Sequence, residues 1–323
     1  MLRRRFLQLA GAAATVPALW RVARADAYPI RPVHWFVGFA PGGPTDTVAR
    51  ITGQWLSDRL GQQFVIENRT GSGGNIAAEA VVNSSPDGYT LLFTGPNNVI
   101  ANSLYKRLRF DFLRDTVPVT GIVRLANLLV VPPSLPVKTV ADLIEYAKAN
   151  PGKLSFASSG NGTSVHMSAE LFKAMTMIEM LHVPYRGSAV AYPDLLSGKV
   201  QVMFDNLPGA IGFVRSGQLR GLGVTTSQRW PLAPDIPAIA ETVPGYEASV
   251  WYGMNAPKGT PTEIVAALNE AVNAALVDKK FAARLADIGA VPMPMTPEEF
   301  GKLIADESEK WRKVVEFAGL SIE

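Results

Sequence analysis

The chain contains no cysteine. That excludes thiol nucleophiles, thiolate metal sites, iron–sulfur clusters and disulfides together, so the fold must rest on its apolar core. Histidine is nearly as scarce, at His34, His166 and His182, and no HExxH or short His-x-His spacing prepares a metal site. For each histidine the reading as a hydrogen-bonded structural residue outweighs a ligating or catalytic one. The G-x-S-x-G elbow of α/β-hydrolases is missing. Nucleotide fingerprints are missing as well. Gly71-Ser72-Gly73, Gly160-Asn161-Gly162 and Gly221-Leu222-Gly223 each begin a GxGxxG but meet Ile76, Val165 and Thr226 at the sixth place, and no GxxxxGK exists. Neither a cofactor nor a metal is expected.

Long apolar runs are confined to the start. Residues 1–25 open with Arg3-Arg4-Arg5-Phe6-Leu7, continue apolar, and close on Ala23-Arg24-Ala25. That is the layout of an export signal cleaved before Asp26, and its Arg-Arg-x-Phe-Leu order resembles a twin-arginine signal. The segment carries five arginines and no acid, so losing it takes the net charge from +3 to −2. No basic stripe remains to argue for nucleic acid. Beyond Ala25 no run approaches the roughly 20 apolar residues needed to cross a bilayer. A soluble periplasmic protein, large enough for two domains, is expected.

Strand-like and helix-like segments alternate through the remainder, which favours an α/β class. Val33 to Phe39, Phe64 to Ile66, Thr90 to Thr94, Leu128 to Val131, Met180 to Val183, Val200 to Phe204 and Leu219 to Thr225 read as strands. Helix starts are marked by Thr139 with Asp142, by Thr260-Pro261-Thr262-Glu263 and by Thr296-Pro297-Glu298-Glu299. The last two each combine a capping box with proline at the first helical position. Trp230 to Gly245 reads as an extended connection.

Two glycine loops, each between a strand and a helix, carry the chemistry. They are Phe39-Ala40-Pro41-Gly42-Gly43-Pro44-Thr45-Asp46 and Ser158-Ser159-Gly160-Asn161-Gly162-Thr163-Ser164-Val165-His166. Glycine lets a backbone approach a ligand, and the first N–H groups of the following helix attract an anion such as a carboxylate. A third glycine loop runs from Asn68 to Asn75. Asp46 reads as a helix cap. His166, one turn into the second loop, could orient that loop or touch a ligand. Asp205 ends an apolar strand, where it serves equally well as acceptor for a ligand hydroxyl or amine and as a helix cap. Phe39, Tyr185, Phe204, Trp251 and Tyr252 lie near these loops, and Phe39, Phe204 and Trp251 lean towards an aromatic or less polar acid.

The ordered set of landmarks resembles the Bug family of extracytoplasmic solute receptors, which serve tripartite tricarboxylate transporters. The landmarks are Phe39 to Asp46, Glu67 to Gly74, Ser159 to His166, Val183-Pro184-Tyr185-Arg186-Gly187, Phe204-Asp205, Leu219 to Thr225 and Trp251 to Pro261. The resemblance implies a two-lobed, type II periplasmic binding fold with a discontinuous first lobe. Residues 26–126 and 250–323 would form lobe 1 and residues 127–249 lobe 2, with the ligand cleft between them. It further implies a carboxylate held by the backbone and ordered water at Phe39, Ala40, Pro41, Gly42 and Gly43 and at Gly162, Thr163 and Ser164. His166 would stand close by, and Asp205 would select the distal part of the ligand. The implied partner is an integral membrane permease, the chain acting as a monomer without covalent chemistry. The competing readings are an exported hydrolase using Ser164, His166 or Asp205, and a receptor that signals without transport.

Overall fold

The computed structural model describes residues 28–317 and 319–323, so the export segment lies outside the described residues. Strand β1 (Val33–Val37) leads through the first glycine loop into α1 (Pro44–Leu60), and β2 (Phe64–Asn68) returns parallel to β1. The third glycine loop opens α2 (Asn75–Val82). It is followed by β3 (Thr90–Thr94), α3 (Pro96–Leu104), the single turn α4 (Phe112–Asp115) and the long β4 (Thr116–Leu125). After Ala126 come β5 (Asn127–Val131), α5 (Val140–Ala149), β6 (Ser155–Ser158) and α6 (Ser164–Thr176). Next are β7 (Leu181–Pro184), α7 (Tyr192–Leu196), β8 (Val202–Asn206), α8 (Leu207–Arg215) and β9 (Arg220–Val224). The chain closes with β10 (Val250–Pro257), α9 (Thr262–Val277), α10 (Lys279–Asp287), β11 (Val291–Pro292) and α11 (Pro297–Phe317).

Two sheets result, with strand orders β11-β4-β10-β3-β1-β2 and β7-β6-β8-β5-β9. Within the first, β1 pairs parallel with β2 and β3, while β10 lies antiparallel between β3 and β4. Within the second, β6 pairs parallel with β7 and β8, while β5 lies antiparallel between β8 and β9. The chain thus leaves the first sheet at Ala126 and returns to it at Val250. The two crossings run side by side. Leu125 pairs with Val250, and beyond them buried Thr225 accepts the Asn127 N–H and donates its hydroxyl to the Ala248 carbonyl, each at 2.9 Å.

Side-chain alternation decides what each sheet face covers. From β1, Val33, Trp35 and Val37 pack with Val48, Ala49 and Leu56 of α1 and with Leu268 and Val272 of α9. Phe36 points the other way, towards Ala77, Ala78 and Val81 of α2. Two of the three expected caps form with both reciprocal bonds, Thr139 with Asp142 and Thr296 with Glu299. The third does not. Thr260 turns its hydroxyl back to the Pro257 carbonyl at 2.8 Å, and Pro261 takes the N-cap place in an extended conformation, so α9 begins one residue later than expected.

Candidate functional site

The loops after β1 and β6 are built alike. Gly42 and Gly162 have φ of 79° and 73°, a region that costs a side-chain-bearing residue about 1–2 kcal/mol. Each gives its N–H to the side chain four residues on, Gly42 to Asp46 Oδ2 at 2.9 Å and Gly162 to His166 Nδ1 at 3.1 Å. The next residue, Gly43 or Thr163, is the N-cap, and its carbonyl accepts from Thr47 or Met167 at 2.9 Å. The third helical residue is thereby folded back over its own loop. The N–H groups of Thr45 and Asp46 in α1, and of Ser164 and Val165 in α6, are left without a partner among the described residues.

The two third-position residues differ in chemistry. Burial alone would raise Asp46, but bonds from Arg50, the Gly42 N–H and Asn68 outweigh it and hold the carboxyl below its usual range. His166 accepts through Nδ1, so its proton sits on Nε2, which faces Glu170 Oε1 at 3.7 Å. Behind it His182 stacks on the His166 ring at 4.0 Å and on Phe156 at 4.8 Å between centroids. Burial first, and the charge of His166 second, push His182 down to about 3. Its Nε2 lies 2.6 Å from Ser158 Oγ. These two imidazoles brace the second loop from behind.

The loops converge on a narrow void with about 20 Å³ open to the centres of water-sized spheres, room for one or two waters. It is lined from both sheets. The starts of α1 (Pro44, Thr45), α3 (Pro96, Asn97) and α6 (Thr163, Ser164) meet there, together with Asn206, the N-cap of α8. Four helix N-termini therefore face one space, and no lysine or arginine lines it. Such a site draws an anion through backbone N–H groups and helix dipoles instead of a formal cation. A second void of about 170 Å³ adjoins it through Phe39 and Ser159. Gly71 to Gly74, Tyr105 and the exposed Arg186 line this one. A larger groove between α1 and β2 opens on the surface and gathers no helix starts.

Of the residues singled out by sequence, Phe39, Ala40, Gly43, Thr163 and Ser164 line the narrow void, whereas Pro41, Gly42, Gly162, His166 and Asp205 do not. Asp205 is fully buried and neither caps α8 nor lines the void. Its Oδ1 accepts from Ser188 Oγ at 2.5 Å, and Oδ2 accepts from the Tyr192 hydroxyl. Burial pushes its carboxyl up to about 6, against the lowering effect of these bonds and of the Asn206 N–H. Ser164, His166 and Asp205 make no hydrogen bond to one another. Ser164 Oγ instead accepts from Asn206 Nδ2 at 3.3 Å.

Sequence reasoning missed Pro96, Asn97, Ser159, Ser188 and Asn206 as lining residues. A signal existed for α3, because Gly95-Pro96 stands between a strand and a helix, as Gly43-Pro44 does before α1. Phe204 and Trp251 are core residues, so the aromatic lean rests on Phe39, with Tyr252 in the same wall and Tyr185 at the second void. Tyr252 donates its hydroxyl to Asn206 Oδ1, tying β10 of the first sheet to the start of α8 on the second.

Two α/β units joined by a double crossover, with helix starts from both facing one void, make the fold of a periplasmic binding protein. The chain belongs to the Bug-type tripartite tricarboxylate transporter receptors: the TctC family model, described as "Tripartite tricarboxylate transporter family receptor", matches residues 48–320. Protein BugT of Bordetella pertussis is 38% identical over 321 residues, 98% of this chain and 96% of that protein. The structure of R. palustris Rpa4515 with adipate matches at 43% identity and a TM-score of 0.89, covering 91% of this chain and 99% of that one. MatC from Rhodopseudomonas palustris with bound malate matches at 33% identity and a TM-score of 0.85, covering 89% and 100%.

Proposed function

We propose that the chain is exported to the periplasm through its N-terminal signal, closes two lobes on a small carboxylate, and delivers it to the integral membrane permease of a tripartite tricarboxylate transporter. The observation that carries this reading is the meeting of four helix N-termini, from both sheets, at one void without a cation. Residues 26–126 with 250–323, and residues 127–249, are the proposed lobes, in keeping with the strand membership of the two sheets. A carboxylate touching both lobes favours the closed arrangement by the difference between its affinities for the closed and open forms. The adjoining void, with Arg186 on its wall, gives the remainder of a longer acid a place to lie. The protein acts as a monomer and leaves its ligand chemically unchanged.

The test is a thermal-shift screen of the mature chain against carboxylates, with adipate and malate included, and against their amides. A ligand at about 100 times its dissociation constant adds roughly 2.7 kcal/mol. The expected result is a shift with an acid that disappears in its amide, with the acid recovered intact after long incubation. Protein unfolded, washed and refolded that shifts with no acid, or equally with acid and amide, overturns the reading. Loss of uptake of that acid on deleting a co-expressed permease tests delivery and separates transport from signalling.

A further inference from the structure

The wall of the narrow void has two hydrogen-bonding senses. Part of the lining donates: the unpartnered N–H groups of Thr45 and Ser164 follow the two glycine loops, and Ser164 Oγ receives a proton from Asn206, leaving its own free. Another part accepts. Ser188 lines the void, yet its single proton is committed to Asp205 Oδ1 at 2.5 Å. Tyr252 lines it too, with its proton committed to Asn206 Oδ1. Each of these hydroxyls can offer the void only lone pairs. A bare carboxylate has lone pairs of its own and gains nothing there. A ligand hydroxyl or ammonium does.

We propose that Asp205 is a specificity-positioning residue: it never touches the ligand, but by holding the Ser188 proton inward it makes the receptor prefer carboxylates that carry a donor, a hydroxyl or an amine, on the carbon next to the acid group. The smallness of the void sets that spacing, because donors and acceptors line one space with room for one or two waters, and a ligand donor that meets the acceptors there sits close to the acid group. Asp205 is suited to the task by its surroundings. It is fully buried, and its second oxygen is filled by Tyr192, a buried residue absent from the void's lining whose ring packs on Phe213. Neutralising Asp205 as the amide forces one of the two accepted bonds to reverse. Ser188 has the void to turn into and Tyr192 does not, so the Ser188 proton swings outward.

This inference rests on the receptor reading above, and the experiment separates the two. Dissociation constants are measured by calorimetry for two pairs, succinate with malate and adipate with 2-hydroxyadipate, on wild type, Asp205→Asn and Ser188→Ala. The ratio within a pair is the readout, because loss of charge or a general loosening acts on both members alike. In wild type the hydroxy acid of at least one pair should bind about tenfold tighter or more. In Asp205→Asn the ratio should fall to about twofold or invert, and in Ser188→Ala it should fall likewise. Should Asp205→Asn fail to fold, Ser188→Ala alone decides. Equal affinities within each pair in wild type, or ratios that survive both substitutions, overturn the proposal while leaving a carboxylate receptor in place. A wild type that binds neither pair also overturns it, and binding of no carboxylate at all removes the receptor reading as well.

Discussion

Replacing Gly42 by valine isolates the contribution of backbone geometry to the first loop. A Cβ built on Gly42 meets no atom within 4 Å, so space does not oppose the substitution. Only φ of 79° does, and a β-branched residue there is strained by about 1–3 kcal/mol. If the backbone keeps its conformation, that strain is the cost. If it swings to negative φ, the Gly42 N–H leaves Asp46 Oδ2 and a charge-assisted bond of about 1.5–3 kcal/mol is lost. Either route lowers stability by roughly 2 kcal/mol, about 4–8 °C in melting temperature for a chain of this order, well within what a folded protein tolerates.

The two routes differ in binding. Swinging the loop turns the Thr45 and Asp46 N–H groups away from the void, and losing one or two such bonds to a carboxylate weakens affinity about 10- to 1,000-fold. Gly152→Val is the control. Gly152 has φ of 71° and also meets nothing within 4 Å, but it lies in the exposed turn between α5 and β6. It should melt at a similarly lowered temperature and bind as wild type does. Calorimetry and thermal melts on the three proteins, with a crystal structure of Gly42→Val, settle the matter. A Gly42→Val protein whose crystal structure shows the loop swung to negative φ, yet which binds within twofold of Gly152→Val, refutes the assignment of the first loop as an anion grip.

Three further outcomes are expected. Tyr252→Phe leaves the buried Asn206 Oδ1 without its donor, at about 1–3 kcal/mol, so the closed form loses a tie between its two sheets. Ligand affinity should drop about tenfold and ligand-free X-ray scattering should show a wider particle; unchanged values for both would show that this bond does not hold the sheets together. Thr225→Val removes the hydroxyl that joins Asn127 and Ala248 at the crossover, and the melting temperature should fall by about 5 °C or more; an unchanged melt would rule out the crossover tie. The third concerns pH. His182 is held down at about 3, so between there and about 6.5 the unfolded chain binds the extra proton and stability falls with pH, by at most about 1.4 kcal/mol per unit. Asp205, raised to about 6, works in the opposite sense: its contribution is complete below about 3.8 and is lost as pH rises through 6. The Asp205 contribution is common to wild type and His182→Asn, so the two stability curves should diverge steadily as pH falls from about 6.5 to about 3. Parallel stability curves across that range would contradict the assigned His182 shift.

What could be read from sequence here follows from how local the physics is. The glycine loops and two of the caps are set by residues within four places of one another, and Thr139 and Thr296 make the bonds their spacing implies. The long β4 was hidden because Pro118 and Gly121 punctuate it. Both residues fall where the register with β10 shifts, opposite Asn255 and Gly253, and such irregularities tolerate proline and glycine in a strand. The antiparallel places of β5 and β10 were equally out of reach. They depend on the chain crossing twice between sheets, which no local pattern encodes.

Asp205 shows the same limit at the level of chemistry. An acid at the end of an apolar strand, with asparagine after it, has the local signature of both a ligand contact and a helix cap. What assigns it otherwise is Ser188, seventeen residues earlier, and Tyr192, thirteen earlier, which reach its two oxygens from a separate segment. The likeness of the two glycine loops was likewise only half visible. Their glycines could be read directly, but not that Asp46 and His166 occupy one structural position and bind the same N–H. One position thus carries an anion already paired with Arg50, and the other an imidazole that accepts the loop's N–H. The α1 start therefore has its positive end partly compensated, while the α6 start keeps its own.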